Sequence, residues 1–328
     1  MLEMVLTRDH VSLSRPTKEV LHTSAIRCIR DDEAEQIEDL LRYSLAANTI
    51  RAHQSDMQHY LGRGGKVPAT PSEVAAYIAA FAGKLAVSTI ERRIATLSKA
   101  HDTLGAENPC RSPLVQTTLR GLRRKFGTAQ KQAKPLVKDE LFAILDPLGD
   151  GMKDVRDKAL LLLGFAGGFR RSELIRLDVA DIEYARQGII ITLRQSKTDQ
   201  EGAGRKIGIP HGRTRHCPVA ALTAWLMRSG ITEGAIFHPI NRHSQLQPER
   251  LSGDAVSEVI RERLAAVGID PTGYSGHSLR AGFATSAAQA GASTLKIRAQ
   301  TGHASDAMLK RYIRDGELFV GNAAGVVL

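Results

Sequence analysis

The chain reads as a mainly α protein of two domains, with a small antiparallel β-sheet in the second half. Three observations predict this. Apolar residues recur at spacings of three and four through most of the segment 31–127, the mark of amphipathic helices packed on one another. A polar stretch from Thr128 to Pro135 then interrupts all periodicity and reads as a linker. Beyond it, Gly188 to Arg194 is dense in β-branched residues, and Arg205 to Pro210 supplies a partner strand. The length, 328 residues, also suits two domains. The expected boundaries are an extension over 1–30, a helical domain over 31–127, a linker over 128–135, a second α-rich domain over 136–316 and a tail over 317–328.

In the helical domain, Asp31-Asp32-Glu33 places acids where a helix dipole favours them and opens the first helix. Asn48 is a cap for the second, which runs through Tyr60 and Leu61 to the glycines beyond. Pro71-Ser72-Glu73 starts the third, with Val74, Tyr77, Ile78 and Phe81 on one face. Ser88 begins the fourth, with Ile90, Ile94, Leu97 and His101 at helical spacing. Ser112-Pro113 begins the fifth, whose apolar positions are Leu114, Val115, Leu119, Leu122 and Phe126. In the second domain, helices are expected over 138–145, 155–166, 218–228, 253–267, 278–290 and 294–300, with a last one from Ser305 through Tyr312. Between the two strands, residues 195–204 form a polar hairpin loop.

Composition bounds the function. A hydrophobic fraction of 42% supports ordinary cores, while aromatics at 5% argue against a base-stacking platform. Cys28, Cys110 and Cys217 are odd in number and far apart, which argues against a disulfide framework or a paired zinc site and fits a reducing cytoplasm. Charges interrupt the first 30 residues, and no apolar run approaches a membrane span, so no membrane association is expected. The net charge of +10 favours nucleic acid as partner. That charge is concentrated: residues 84–134 hold 11 basic and 3 acidic residues, against 25 and 21 over 135–328. Arg92, Arg93, Lys99, Arg120, Arg123, Arg124, Lys125, Lys131 and Lys134 are the candidates for tracking a DNA backbone. A run such as Arg120 to Lys125, taken alone, is equally well a solvated helix face.

Five elements of the second domain carry possible chemistry. Arg170 and Glu173, after Gly167-Gly168, are three apart and share a face if helix resumes there, or make a surface ion pair. His277 and Arg280 pair a titratable base with a forked cation. His303 follows Gly302 at a helix end, where capping is the ordinary role. Lys197 lies in the hairpin loop. Tyr312 sits with Met308, Leu309 and Ile313 at core spacing, so periodicity alone makes it a packing residue.

In this order and spacing, with 23 residues from Arg280 to His303 and nine from there to Tyr312, the elements resemble the catalytic domain of the tyrosine recombinases, the phage integrase family with its Cre-like and Xer-like members. The match covers about 136–316, and a helical core-binding domain joined by a basic linker resembles the family in kind. The resemblance implies the tyrosine recombinase fold and a site-specific recombinase that cleaves and rejoins DNA through a 3′-phosphotyrosine and a Holliday junction. It implies Tyr312 as nucleophile, Arg170 and Arg280 on the phosphate oxygens, Lys197 as the acid for the leaving 5′-oxygen, His277 assisting proton transfer, His303 donating to the phosphate and Glu173 in support. No cofactor, metal or ATP is implied. The partners implied are double-stranded DNA bearing target sites and further copies of the chain in a tetramer. The apolar tail at 317–328 would dock on a neighbouring subunit or pack on its own domain. A type IB topoisomerase shares this tyrosine chemistry, and a non-catalytic DNA-binding protein would keep the fold without the residues.

Overall fold

A computed structural model describes residues 5–7, 10–12, 47–128, 132–194, 204–303, 305, 309 and 312. The chain divides into two compact units, Met1–Lys131 and Gln132–Leu328. The helix expected to open at Asp31, the interior of the linker, the hairpin loop with Lys197, and the tail lie outside the described residues.

The first unit opens with a short antiparallel pair, β1 (Val5–Thr7) and β2 (His10–Ser12), where no strand was expected. Four helices follow: α1 (Ala47–Leu61), α2 (Pro71–Phe81), α3 (Val87–Thr103) and α4 (Pro113–Phe126). Local chemistry sets their ends. Thr70 and Glu73 form a reciprocal capping box ahead of α2, with Pro71 where no amide donor is needed. Ser112 accepts from the Val115 amide to start α4, and Gly127, at φ 73°, ends it. Two expected starts move. Asn48 lies inside the first turn of α1 and does not precede it, and Ala86 precedes α3 without a side-chain cap. The core holds Val74, Tyr77, Ile78, Phe81, Ile90, Ile94, Leu97, Val115, Leu119 and Leu122. Leu114 and Phe126, counted on the apolar face of α4, are exposed. Leu114 falls on the first turn, off the Val115–Leu119–Leu122 stripe. Phe126 lies past the core's end, where its ring takes the Lys125 ammonium at 5.4 Å.

The second unit is built around α6 (Met152–Ala166), in which every residue from Ala159 to Leu163 is buried. A helix apolar on all sides must be covered on all sides. Around it lie α5 (Lys138–Leu145), the short α7 (Arg171–Arg176), α8 (Pro218–Ser229), α9 (Gly253–Ala266), α10 (Ser278–Gln289) and α11 (Thr294–Thr301). One three-stranded antiparallel sheet joins β3 (Ile182–Ala185), β4 (Gly188–Leu193) and β5 (Arg205–Pro210) in that order. Its register sets Gly188 opposite Pro210 and Leu193 opposite Arg205. β3 was not expected from the sequence, because Ile182-Glu-Tyr-Ala has no clear alternation; pairing with β4 makes it a strand. At Gly188 a Cβ would run into the Ile209 carbonyl, so the sheet closes only around glycine.

The segment entering this unit is strapped to α10. The Lys134 amide donates to the Gly273 carbonyl at 2.9 Å and the Leu136 amide to the Ser278 carbonyl at 3.0 Å. Gly282 lets Leu136 cross α10 in direct contact, since any Cβ there would meet the Leu136 carbonyl. Trp225, the chain's single tryptophan, is fully buried and donates to the Ile236 carbonyl at 2.7 Å. Its fluorescence therefore reports this core alone. Leu160→Ala, at a site with no exposure, should lower the unfolding free energy of the second unit by about 2–5 kcal/mol, measured as a shift of the Trp225 denaturant midpoint at unchanged slope.

Candidate active site

The site forms where the carbonyl end of α11 meets the arginines of three other elements. The last carbonyls of a helix have no partners of their own and carry partial negative charge. Here they accept from guanidinium groups. Arg205, the first residue of β5, donates through Nη1 to the Ala299 carbonyl at 2.9 Å and the Gln300 carbonyl at 3.0 Å. Arg280, one turn into α10, donates through Nη1 to the Thr301 carbonyl and, at 2.9 Å, to the Gly168 carbonyl. Arg170, just ahead of α7, donates through Nη2 to the Gly302 carbonyl at 3.3 Å. Gly302 closes α11 in the left-handed conformation, φ 66° and ψ 42°, and a Cβ there would strike the Arg205 guanidinium.

Glu173 is the anion among these cations. Its Oε1 accepts from Arg170 Nη1 at 2.5 Å and its Oε2 from the Arg170 amide at 2.9 Å. This is not a surface ion pair: the side chains are 12% and 2% exposed. The carboxylate caps α7 and aims the Arg170 guanidinium in one step. Arg280 is 2% exposed, and its Nη2 is buried without a hydrogen-bond partner among the described residues. Such a donor costs about 1–3 kcal/mol unless something accepts from it. Burial and the nearby Arg170 lower the Arg280 pKa to about 10, which leaves it charged at neutral pH.

His303 follows Gly302 and is 6% exposed. Its Nδ1 lies 2.7 Å from Thr301 Oγ1. Burial first, then Arg280 and Arg170, push its pKa down to about 3, so the ring is neutral. His277 is exposed at the N-cap position of α10, without a side-chain capping bond, one turn before Arg280. Tyr312 is helical and half-buried, packed against the cluster of Ala284, Ala288, Ile297 and Leu309. Its ring centroid lies 5.8 Å from that of His303. The tyrosine is thus both a packing residue, as its spacing indicates, and a neighbour of the cationic cluster. Met308 and Ile313 lie outside the described residues.

Of the seven candidate site residues, the fold gathers Arg170, Glu173, His277, Arg280, His303 and Tyr312. His277 stands at the head of the helix carrying Arg280, and Lys197 lies outside the described residues. Two residues were missed. Arg205 looks like an ordinary strand residue, and Thr301 like an ordinary helical one; neither carries a sequence signal of its role.

The candidate DNA contacts are spread more widely. Lys99, Arg120, Arg124 and Lys125 are exposed on α3 and α4. Arg123 pairs with Glu91 at 2.5 Å, and Arg92, half exposed, pairs with Asp56 at 2.9 Å. Arg93 departs from the expectation of a free surface cation. Its side chain is 13% exposed and contacts buried Asp56, the Tyr77 hydroxyl and the His59 ring. Lys134 is exposed in the second unit, its ammonium 5.5 Å from the Tyr274 ring centre, and Lys131 lies outside the described residues.

Residues 134–317 match the model of the phage integrase family. The integrase/recombinase XerD homologue of Selenomonas ruminantium is 37% identical over 293 residues, covering 86% of each chain. The XerH site-specific recombinase, in a post-cleavage complex with its palindromic difH substrate, has a similar fold at a TM-score of 0.61, 18% identity and 85% and 79% coverage. A lambda integrase tetramer bound to a Holliday junction gives a TM-score of 0.58 at 20% identity, covering 86% of this chain and 75% of that one. Among the described residues no helix is long and apolar enough to cross a membrane.

The neutral state of His303 has a measurable consequence. The unfolded chain takes up a proton near pH 6.5 that the folded site refuses until about 3. Stability from this residue is therefore complete above 6.5 and drains away as pH falls. The fall in Tm between pH ~7 and ~5 should be larger for the wild type than for His303→Gln; equal falls would contradict the assigned protonation state.

Proposed function

The chain belongs to the phage integrase family and is a site-specific DNA recombinase, and from that premise we propose how its residues perform the reaction. Tyr312 Oη attacks the scissile phosphorus. A bond forms from phosphorus to the phenolic oxygen, and the bond to the 5′-oxygen breaks. The product is a 3′-phosphotyrosine and a free 5′-hydroxyl. One phosphodiester replaces another, so religation needs no ATP. Lys197 gives a proton to the departing 5′-oxygen, His277 assists the loss of the phenolic proton, and His303 meets a non-bridging oxygen.

The observation that carries this reading is the Arg280 Nη2, buried without a partner among the described residues and near the Arg170 guanidinium. Two forked cations suit the oxygens of a phosphorane, on which charge builds as the bond forms. The bookkeeping of charge agrees: three guanidinium groups and one carboxylate leave two positive charges to face the transition state. A phenol is a poor nucleophile at neutral pH, and cationic surroundings lower the cost of its phenolate.

We assign duplex DNA bearing paired target sites as substrate, with the exposed cations of α3 and α4 holding its backbone. Four copies would act together through a Holliday junction, as the lambda integrase tetramer binds one. The reaction would take place in the cytoplasm, where such DNA lies.

Tyr312→Phe should abolish covalent protein–DNA adducts on denaturing gels while leaving duplex binding nearly intact; adducts at wild-type yield would sink the assignment. Lys197→Ala should slow cleavage, and a 5′-bridging phosphorothiolate should restore it, because sulfur leaves without a proton. Arg120→Ala and Arg124→Ala should each lower the slope of log affinity against log salt by about 1; unchanged slopes would remove those residues from the DNA surface.

A further inference from the structure

Thr301 is fully buried at the end of α11. Its Oγ1 stands 2.7 Å from the Ile297 carbonyl oxygen and 2.7 Å from His303 Nδ1. A carbonyl oxygen has no hydrogen, so the hydroxyl must donate its single proton to Ile297. Towards His303 it then offers only a lone pair. The hydrogen of that second contact belongs to the imidazole, and Nδ1 carries it. A neutral ring with hydrogen on Nδ1 has none on Nε2.

The surroundings keep the ring neutral. Among the described residues, the charged or titratable groups facing it are Arg280 on α10, Arg170 ahead of α7, Arg205 on β5, His277 at the head of α10, the Tyr312 ring beside it and, on α11, Arg298, whose Nε donates to the His303 carbonyl at 3.1 Å. Glu173, paired with Arg170, is the anion of this cluster. A neutral Nε2 repels an anionic oxygen. A hydrogen bond from His303 to phosphate therefore needs a second proton on the ring, and the phosphate's charge supplies the electrostatic reason to accept it.

We propose that Thr301 is a positioning residue that locks His303 with its hydrogen on Nδ1, so that Nε2 is bare in the free protein and takes one proton from solvent when an oxyanion enters between Arg170 and Arg280. The proposal rests on the reading of this pocket as the phosphate site. Oxyanion binding and proton uptake become a single event, and His303 becomes a donor only when the anion is in place. The balance is simple: one N–H bond forms at Nε2, and the proton comes from the buffer.

The test is nitrogen-15 NMR of the full chain, with the His303 signals identified by their loss in His303→Gln. Sulfate is the oxyanion probe, because it does not titrate near neutral pH. In the free wild type, Nδ1 should be protonated and Nε2 bare. Saturating sulfate should protonate Nε2, and apparent sulfate affinity at this site should rise by up to tenfold per unit fall in pH. Thr301→Ser keeps the hydroxyl and should keep both behaviours. Thr301→Val, of the same shape, removes the acceptor; the neutral ring should then populate the Nε2–H form, and sulfate affinity should lose its pH dependence. A protonated Nε2 in the free wild type would overturn the proposal. An equal pH dependence in Thr301→Val would overturn it as well. The NMR result is separable from the functional reading: if Nδ1 carries the hydrogen but Tyr312→Phe still forms adducts, the lock stands and the catalytic assignment fails.

Discussion

The site depends on the unsatisfied carbonyls at the end of α11. Arg170, Arg205 and Arg280 come from three distant stretches of chain, and their mutual repulsion opposes bringing them together. A helix terminus with free carbonyl groups offsets that repulsion through charge-assisted hydrogen bonds. Glu173 adds a full negative charge at one edge. The result is a cluster of side chains with a net positive charge. Its donors stand in place before any substrate arrives, the condition under which electrostatic stabilisation costs no reorganisation during reaction.

The same turn organises the remaining groups. Gly302 allows the chain to reverse with Arg205 pressed against it, and His303 emerges directly into the cluster. α10 contributes Arg280 and, at its head, His277, while residues 134–136 run along it and cross it at Gly282. Arg205 begins the strand that follows the hairpin loop, so the base of that loop is tied to the turn carrying His303. Three separate segments are thus referred to one helix end.

Much of this was legible beforehand, and for identifiable reasons. Helix starts at Pro71-Ser72-Glu73 and Ser112-Pro113 are local chemistry, so the beginnings of α2 and α4 follow from neighbouring residues. The strand β4 announces itself through β-branched composition, and β5 reads as its partner. β3 does not, because its strand character comes from pairing with β4. Phe126 and Leu114 fit a helical period but find no core to enter. Arg93 counts as a surface cation in any tally of charge, yet it lies against buried Asp56. Periodicity specifies a direction around a helix and says nothing of where the core ends.

The sequence by itself determined the class of the protein: a mainly helical chain in two parts, and an ordered set of Arg170, Glu173, His277, Arg280, His303 and Tyr312 at spacings that resemble one family. It did so because helix propensity, capping and motif spacing are properties of near neighbours. Only the tertiary structure decided that the Arg170–Glu173 pair is buried, that Arg205 joins the cluster, that Arg280 keeps a donor without a partner among the described residues, and that Thr301 Oγ1 stands 2.7 Å from His303 Nδ1. Those facts depend on burial and on contacts between residues up to 132 positions apart. Desolvation and hydrogen-bond geometry act through space, and no local pattern in the chain encodes them.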